Sequence, residues 1–148
     1  MILATGRTKG FTFVELLLVI IVIGALLAIS LPNIRKTFNN LRLDNFSREL
    51  QAFMNYLHER SVVEEKIIYL NLDNDKKEIW AQIQDEQSQL KTLVLPDGMK
   101  IESEKKQILF YPDGSIDNAT IEVVNLDKQK VSLTTKGVFG GVKLLFQE

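Results

Sequence analysis

The chain has 148 residues, of which 45% are hydrophobic and 25% charged, a composition typical of one ordinary globular domain rather than a disordered or fibrous protein. Its formal net charge of −1 does not favour nucleic acid or an anionic surface as the main partner. The chain has no cysteine, which excludes disulfide scaffolds, thiol nucleophiles and cysteine zinc sites, and its single histidine excludes intramolecular sites that need two imidazoles.

The N-terminal part of the chain contains a long apolar run. Residues 16–31 carry no charge, and with Phe11–Val14 the stretch reaches 21 residues, interrupted only by Glu15. About 20 apolar residues in a helix span a hydrocarbon core about 30 Å thick. The sequence therefore predicts a transmembrane helix over residues 11–31.

Three interpretations of this segment compete. A secretory signal peptide cut after Ser30 has the small residues that such a site needs, but it leaves a carboxylate inside the run and a proline just after it. A plain membrane anchor leaves Glu15 without a role, although a charged side chain at membrane depth costs about 2.5–3.5 kcal/mol. The third interpretation starts from the residues around Glu15.

A basic residue, a glycine, an aromatic residue, a threonine and an acid occur at fixed spacing before the run, as Lys9-Gly10-Phe11-Thr12-Phe13-Val14-Glu15-Leu16-Leu17, and Pro32 follows the run. This pattern resembles the class III signal of type IV pilins and pseudopilins. The resemblance implies a leader over residues 1–10 that a prepilin peptidase cleaves after Gly10, followed by N-methylation of Phe11. It also places Glu15 fifth and Pro32 twenty-second in the mature chain, where the family has them.

The resemblance also implies a role for Glu15. Cleavage creates a new ammonium group at Phe11, and a carboxylate in the same apolar surroundings needs a partner. In an assembling filament the N-terminus of a neighbouring subunit can supply it, and the family pairing sets the subunit register. Membrane orientation depends on the leader, because Arg7 and Lys9 on one side balance Arg35 and Lys36 on the other.

Beyond Pro32, helical periodicity continues to about Arg60. Apolar residues at spacings of 3 and 4 predict one buried face that seats the helix on the domain, above all through Phe46, Phe53 and Leu57. Pro32 is expected to kink the helix, because its ring removes a backbone donor and crowds the preceding turn. Further apolar residues at Ile34, Phe38 and Leu41 are assigned to the same amphipathic pattern.

From Lys66 the period changes to the alternation of strands. Predicted strands cover residues 66–72, 78–84, 89–95, 107–111, 120–125, 130–135 and 142–146, with a hairpin turn at Asp73-Asn74-Asp75 and two Pro-Asp-Gly turns. Short strands joined by tight turns form an antiparallel sheet or small sandwich. The predicted fold is therefore α+β, with a long N-terminal helix packed on an antiparallel domain that covers residues 32–148.

The chain shows no pattern of an active site. His58 is predicted to be a surface or helix-terminal residue, and no serine lies in a nucleophile-elbow pattern. Aspartates near residues 73–78 and 113–117 are potential calcium ligands, but they lack an EF-hand pattern and suit turns equally well. We therefore expect no enzymatic activity, no cofactor and no metal site.

Two later segments resemble the H-type minor pseudopilins of type II secretion and their FimT relatives, the GspH/FimT group. These are the helix exit over residues 56–63 with its following strand, and the segment Ile108–Ser115 together with the late strand over residues 131–137. The resemblance implies a structural subunit of a periplasmic pseudopilus that takes part in export of folded proteins across the outer membrane. The resemblance also implies that the subunit stacks beneath a neighbour rather than capping the filament, because the family's tip subunit typically lacks the acid that this chain has at Glu15.

The implied partners are other pseudopilins or pilins, the prepilin peptidase, the inner-membrane assembly platform and, before assembly, the lipid bilayer. The implied location is the bacterial inner membrane as a single-pass protein, with the C-terminal domain in the periplasm, and then the pseudopilus. One alternative is a minor type IV pilin of the FimT kind, for pilus assembly or DNA uptake, although the C-terminal tail has a single lysine, which disfavours nucleic acid. Another is a membrane-anchored or secreted periplasmic binding domain.

Overall fold

The computed structural model describes residues 10–86, 89–136 and 140–146, without the side chains of residues 29–33, 136, 140 and 146. Helix α1 spans Phe13–Val63. The chain divides into two compact units, Met1–Thr37 and Phe38–Glu148, so that α1 contributes to both. The predicted helix is confirmed, and it ends three residues later than expected.

The C-terminal end of α1 is closed by backbone geometry rather than by a glycine. Glu65 lies in the left-handed region with φ of 53°, and the Lys66 N–H donates to the Ser61 carbonyl at 3.2 Å. This is the bond of a Schellman motif, in which a residue at positive φ terminates the helix. The sequence held no glycine signal here, which explains why the predicted end fell short.

In the second unit, α1 buries one face. Leu50, Met54 and Leu57 are fully buried, and Phe46 and Phe53 are nearly so. This confirms the prediction that this face packs the helix against the domain. These residues follow the spacings of 3 and 4 that align side chains on one side of a helix.

The prediction was wrong for Ile34, Phe38 and Leu41, which were assigned to the same amphipathic pattern but are all more than half exposed. Successive residues of a helix lie about 100° apart, so the step of two residues from Leu41 to Leu43 moves the apolar stripe to another side. Two separate stripes therefore replace the single face that the periodicity suggested.

Eight strands are described, arranged in two antiparallel sheets. The first sheet has the order β3-β2-β1-β5, and the second has the order β4-β6-β7-β8. The bounds are β1 Ile68–Asp73, β2 Glu78–Ile83, β3 Gln89–Val94, β4 Lys100–Ser103, β5 Gln107–Phe110, β6 Ala119–Val124, β7 Lys130–Lys136 and β8 Gly140–Phe146.

One core joins the helix to both sheets. It combines the buried face of α1 with Leu70 and Ile79 of the first sheet and Ile121 and Leu133 of the second. Alternate residues of β2 are buried, as expected for strands with one face on a core. The predicted α+β fold, a long helix on an antiparallel domain of two sheets, is therefore confirmed.

Strand β4 was not predicted. It has four residues and Ile101 is its only apolar residue, so its alternation is too short to recognise. Its position depends on pairing with β6, where Ile101 faces Val123. A partner distant in sequence, rather than local pattern, defines this strand.

Both predicted Pro-Asp-Gly turns are confirmed. In each turn the glycine adopts the left-handed backbone conformation, which a glycine reaches more easily than other residues. Gly98 has φ of 81° and Gly114 has φ of 80°. Each turn is closed by a backbone hydrogen bond, from Met99 N to Pro96 O at 3.1 Å and from Gly114 N to Tyr111 O at 3.1 Å. The turn between β1 and β2 covers residues 74–77, one residue later than predicted.

Candidate processing and assembly site

The predicted cleavage bond joins two exposed residues that precede the helix. Gly10 and Phe11 have no regular secondary structure, and Phe11 is 77% exposed. A Cβ atom at Gly10 would meet no atom within 4 Å, so nothing in the described structure covers this position. The leader residues 1–9, including Arg7 and Lys9, lie outside the described residues.

Thr12 caps the helix and brings Glu15 into the cap. The Glu15 N–H donates to Thr12 Oγ1 at 3.2 Å, and the Leu16 N–H donates to the Thr12 carbonyl at 3.1 Å. Threonine followed three residues later by glutamate is the capping-box pattern, in which the threonine hydroxyl satisfies an unpaired N–H of the first turn. Sequence reasoning missed this role, although the Thr-x-x-Glu spacing was visible.

The Glu15 side chain lies on the surface of α1 among exposed apolar residues. Its neighbours along the helix include Phe13, Leu16 and Val19, all more than 40% exposed. A carboxylate in the first turn is favourable to the helix dipole. Within the described range no ion pair involves Glu15.

Two further predictions concern the N-terminal part of the helix: a kink at Pro32 and a transmembrane span over residues 11–31. Pro32 and the expected kink lie outside the residues whose side chains are described. Within the described residues, no helical segment has both the length and the hydropathy of a membrane span.

The far end of α1 contacts the turn after β5. His58 Nε2 lies 2.9 Å from the Gly114 carbonyl oxygen, and Ser61 Oγ donates to the carbonyls of His58 at 2.7 Å and Tyr111 at 3.2 Å. Burial raises the pKa of Tyr111, and the Asp117 carboxylate beside it adds to the increase. His58 is thus near the helix end as predicted, but it is half-buried against this turn rather than on the surface.

The aspartates considered as calcium ligands have roles in turns. Asp73 Oδ1 accepts the N–H groups of Asp75 and Lys76, both at 3.0 Å. Asp113 Oδ1 accepts the Ser115 N–H at 2.8 Å and its hydroxyl at 2.6 Å, and these bonds lower the pKa of Asp113. Such bonds are the usual reason for aspartate in turns.

Comparison with solved structures identifies the fold. The minor pseudopilin EpsH from the type 2 secretion system of Vibrio cholerae matches with a TM-score of 0.54 and 14% identity, over 73% of this chain and 96% of that chain. The type IV minor pilin FimU of Pseudomonas aeruginosa PAO1 matches with a TM-score of 0.59 and 13% identity, over 74% of this chain and 90% of that chain. No protein-family model and no curated protein sequence matches the chain.

The chain therefore has the fold of minor pilins and pseudopilins. The predicted resemblance to the type IV pilin and pseudopilin superfamily, including its H-type minor pseudopilins, is confirmed at the level of the fold. Both of these matches cover at least nine-tenths of the solved chain and about three-quarters of this chain.

Proposed function

We propose that the protein is a minor pseudopilin, a structural subunit of a type II secretion pseudopilus that takes part in export of folded proteins. The observation that carries this proposal is the combination of a pseudopilin-like fold with an exposed Gly10-Phe11 bond directly before a capped apolar helix. Neither part is sufficient alone, because folds host unrelated functions and short motifs occur by chance.

In this proposal, the N-terminal part of the protein is processed and then buried in other molecules. The prepilin peptidase cleaves after Gly10, Phe11 is methylated, and residues 11–31 lie in the inner membrane before assembly. The exposure of large apolar side chains over the described part of this segment supports the need for a lipid or protein environment. The second unit then lies in the periplasm.

Glu15 then pairs with the N-terminus of a neighbouring subunit. The carboxylate is exposed among apolar side chains and has no charged partner in the described part of the chain. A charge that enters apolar surroundings without a partner is strongly unfavourable, whereas a paired charge is tolerated. An incoming ammonium group at Phe11 of another subunit supplies the pairing charge.

The N-terminal mass of the protein, purified from membranes of cells with and without the prepilin peptidase, tests processing. We expect a methylated N-terminus at Phe11 only where the peptidase is present, and an unprocessed chain in the Gly10→Val variant. An N-terminus at Leu31 would show a cleaved signal peptide, and an intact Met1 in peptidase-containing cells would show a simple anchor. Either result would contradict the proposal.

Substitutions of Glu15 separate its capping role from charge pairing. Glutamine can complete a capping box without a charge, whereas alanine cannot. We expect both Glu15→Gln and Glu15→Ala to insert into membranes normally and to be poorly incorporated into filaments. If Glu15→Gln assembled normally, the capping role alone would account for the residue.

A minor subunit of a type IV pilus is the second candidate, and the fold likeness to FimU favours it. Deletion of the gene in its own host distinguishes the two machines. A defect in protein secretion with normal pili supports the pseudopilin, and lost piliation with normal secretion supports the pilin. Complementation by the wild-type chain, but not by Gly10→Val, assigns either defect to this protein.

A further inference from the structure

The two described sheets end in four edge strands, β3 and β5 in the first sheet and β4 and β8 in the second. An edge strand directs backbone N–H and C=O groups away from its own sheet, and an uncovered edge can pair with a strand of another chain. Groups of this chain cover three of the four edges. Strand β3 differs from the other three.

Amide side chains cover both edges of the second sheet. On β4, Asn74 Oδ1 accepts the Ile101 N–H at 2.9 Å, and Asn74 Nδ2 donates to the Ile101 carbonyl at 2.6 Å. On β8, Asn55 Oδ1 accepts the Val142 N–H at 3.4 Å, and Gln51 Nε2 donates to the Val142 carbonyl at 2.9 Å. In each strand, side chains therefore take both backbone groups of one residue that an added strand would otherwise bond.

The loop after β5 covers the edge of that strand. The Asp117 N–H donates to the Leu109 carbonyl at 3.0 Å, and the Tyr111 N–H donates to the Ser115 carbonyl at 2.9 Å. These bonds run from the side of β5 that faces away from β1, since residues of β5 alternate in the direction of their backbone bonds. This edge is therefore also closed to another strand.

Strand β3 presents backbone groups that nothing covers in the part of the chain that the structure describes. The Leu95 N–H donates to the Lys77 carbonyl at 2.8 Å, and the register pairs Val94 with Glu78. Because backbone bonds alternate along an antiparallel ladder, the N–H and C=O groups of Thr92 and Val94 point away from β2. No described group bonds to these four.

The side chains beside this edge differ between the two faces of the sheet. On one face Val94 is 68% exposed, and Trp80, the cross-strand partner of Thr92, is half-buried. On the other face Lys91 is exposed, with its ammonium nitrogen 5.5 Å from the centre of the Phe53 ring and no ion pair to a described residue. A strand laid along β3 would therefore meet apolar surface on one face and a cation on the other.

From these features we propose that β3 binds an extended segment of another protein along residues 91–94, where the register with β2 is regular. A strand backbone supplies donors and acceptors in the alternation that Thr92 and Val94 require. The segment has apolar or β-branched residues on the face of Val94 and Trp80, and an acidic residue opposite Lys91. This inference does not depend on the filament function proposed above.

Trp80 is the only tryptophan of the chain and neighbours β3, so its fluorescence reports on binding at this edge. The full-length protein in detergent is titrated with the peptide acetyl-Thr-Val-Thr-Val-Glu-Thr-amide, with the same peptide carrying lysine in place of glutamate, and with a copy methylated on its backbone nitrogens. We expect a saturable shift with the acidic peptide, affinity about fivefold weaker for the lysine peptide, and no shift with the methylated copy. No shift with the acidic peptide, equal affinity for the lysine peptide, or an equal shift with the methylated copy would overturn the proposal.

Two variants of β3 test where the peptide binds. Thr92→Pro removes an outward donor at a position where an edge strand tolerates proline, and it should weaken affinity for the acidic peptide about tenfold. Thr92→Val is the matched control and should keep the affinity. Lys91→Glu should reverse the preference between the acidic and lysine peptides, and it tests the proposal even if circular dichroism shows that Thr92→Pro is unfolded. Unchanged affinity in folded Thr92→Pro, or an unchanged preference in Lys91→Glu, would contradict binding at β3.

A second copy of this chain is the other possible occupant of the edge. Sedimentation of the full-length protein in detergent, without peptide, separates the two cases. We expect wild type and Lys91→Glu to have the same oligomeric state. A wild-type dimer that Lys91→Glu dissociates would place a second copy on β3 and overturn the proposal.

Discussion

The two parts of helix α1 contrast in how their apolar residues are covered. In the second unit, one apolar face of the helix, from Leu43 to Leu57, is buried in a core shared with two sheets. Between residues 13 and 27, large apolar side chains occur on every side and all are more than 40% exposed, for example Ile20 at 61%. The same secondary structure is therefore stabilised by the chain itself in one part and depends on its surroundings in the other.

This contrast shows which part of the helix is stabilised by packing within the described chain. Val and Ile have lower helix propensity than Leu or Ala, so a run rich in them gains little from local preference. Most helix stability in proteins comes from burial of an apolar face. The N-terminal part has no such burial within the described structure, which is the state expected of a segment that lipid or other subunits cover.

The largest expected effect comes from truncating a leucine in each part. Leu50→Ala removes a fully buried side chain and should lower the free energy of unfolding by about 2–5 kcal/mol. Leu27→Ala removes a side chain that is 58% exposed and should change it by less than about 0.5 kcal/mol. Urea unfolding followed by Trp80 fluorescence measures both. Equal losses would mean that the N-terminal part is packed within the protein.

The next largest effect comes from replacing a glycine by alanine in each part of the protein, at Gly98 and at Gly24. Gly98→Ala should destabilise the domain by about 1–2 kcal/mol, because a left-handed backbone penalises a side chain. In addition, the Cβ atom of an alanine at position 98 would lie 2.7 Å from Leu126 Cδ1, too close for an ordinary contact.

Gly24→Ala is the matched change in the N-terminal part of α1, where a Cβ meets nothing within 4 Å. Alanine favours a helix over glycine by about 1 kcal/mol, so this variant should be neutral or more helical. Thermal unfolding monitored by circular dichroism compares the two variants. A destabilised Gly24→Ala would show that this part of the helix has an internal contact.

Local pattern predicted most of the fold. The helix, seven strands and both Pro-Asp-Gly turns follow from periodicity and turn residues, which act over short distances in sequence. Strand β4 was missed because pairing with β6 defines it, and the stripe at Phe38 was misassigned because a step of two residues changes the helix side. Only the first error reflects a tertiary partner that local pattern does not show, since the step from Leu41 to Leu43 is visible in the sequence.

The candidate site was predicted in part. The positions of Gly10, Phe11 and Glu15 came from the motif and its family resemblance, and the structure adds the exposure of these residues. The cap formed by Thr12 was readable from spacing, whereas the contact of His58 with Gly114 joins residues 56 positions apart and was not.

A smaller effect concerns the start of the helix. Thr12→Ala removes the acceptor of the Glu15 N–H and should cost about 1 kcal/mol of local helix stability, whereas Thr12→Ser should keep it. Hydrogen exchange of the amides of residues 13–16 measures this effect, which should not reach the second unit. Faster exchange across the strands of Thr12→Ala would show that the two parts of α1 unfold together.

The smallest effect is a dependence on acid pH within the second unit. The Ser115 N–H and hydroxyl hold the pKa of Asp113 below its ordinary value, so the folded state binds this proton less readily than the unfolded state does. The resulting stability is present above the unfolded pKa of about 3.9 and is lost as the pH falls through the lower folded pKa. Ser115→Ala removes the hydroxyl, the largest cause, and brings the two pKa values closer. The melting temperature should therefore fall less between pH 5 and pH 3 in Ser115→Ala than in the wild type. An equal fall would show that the carboxylates responsible for acid sensitivity lie elsewhere in the chain.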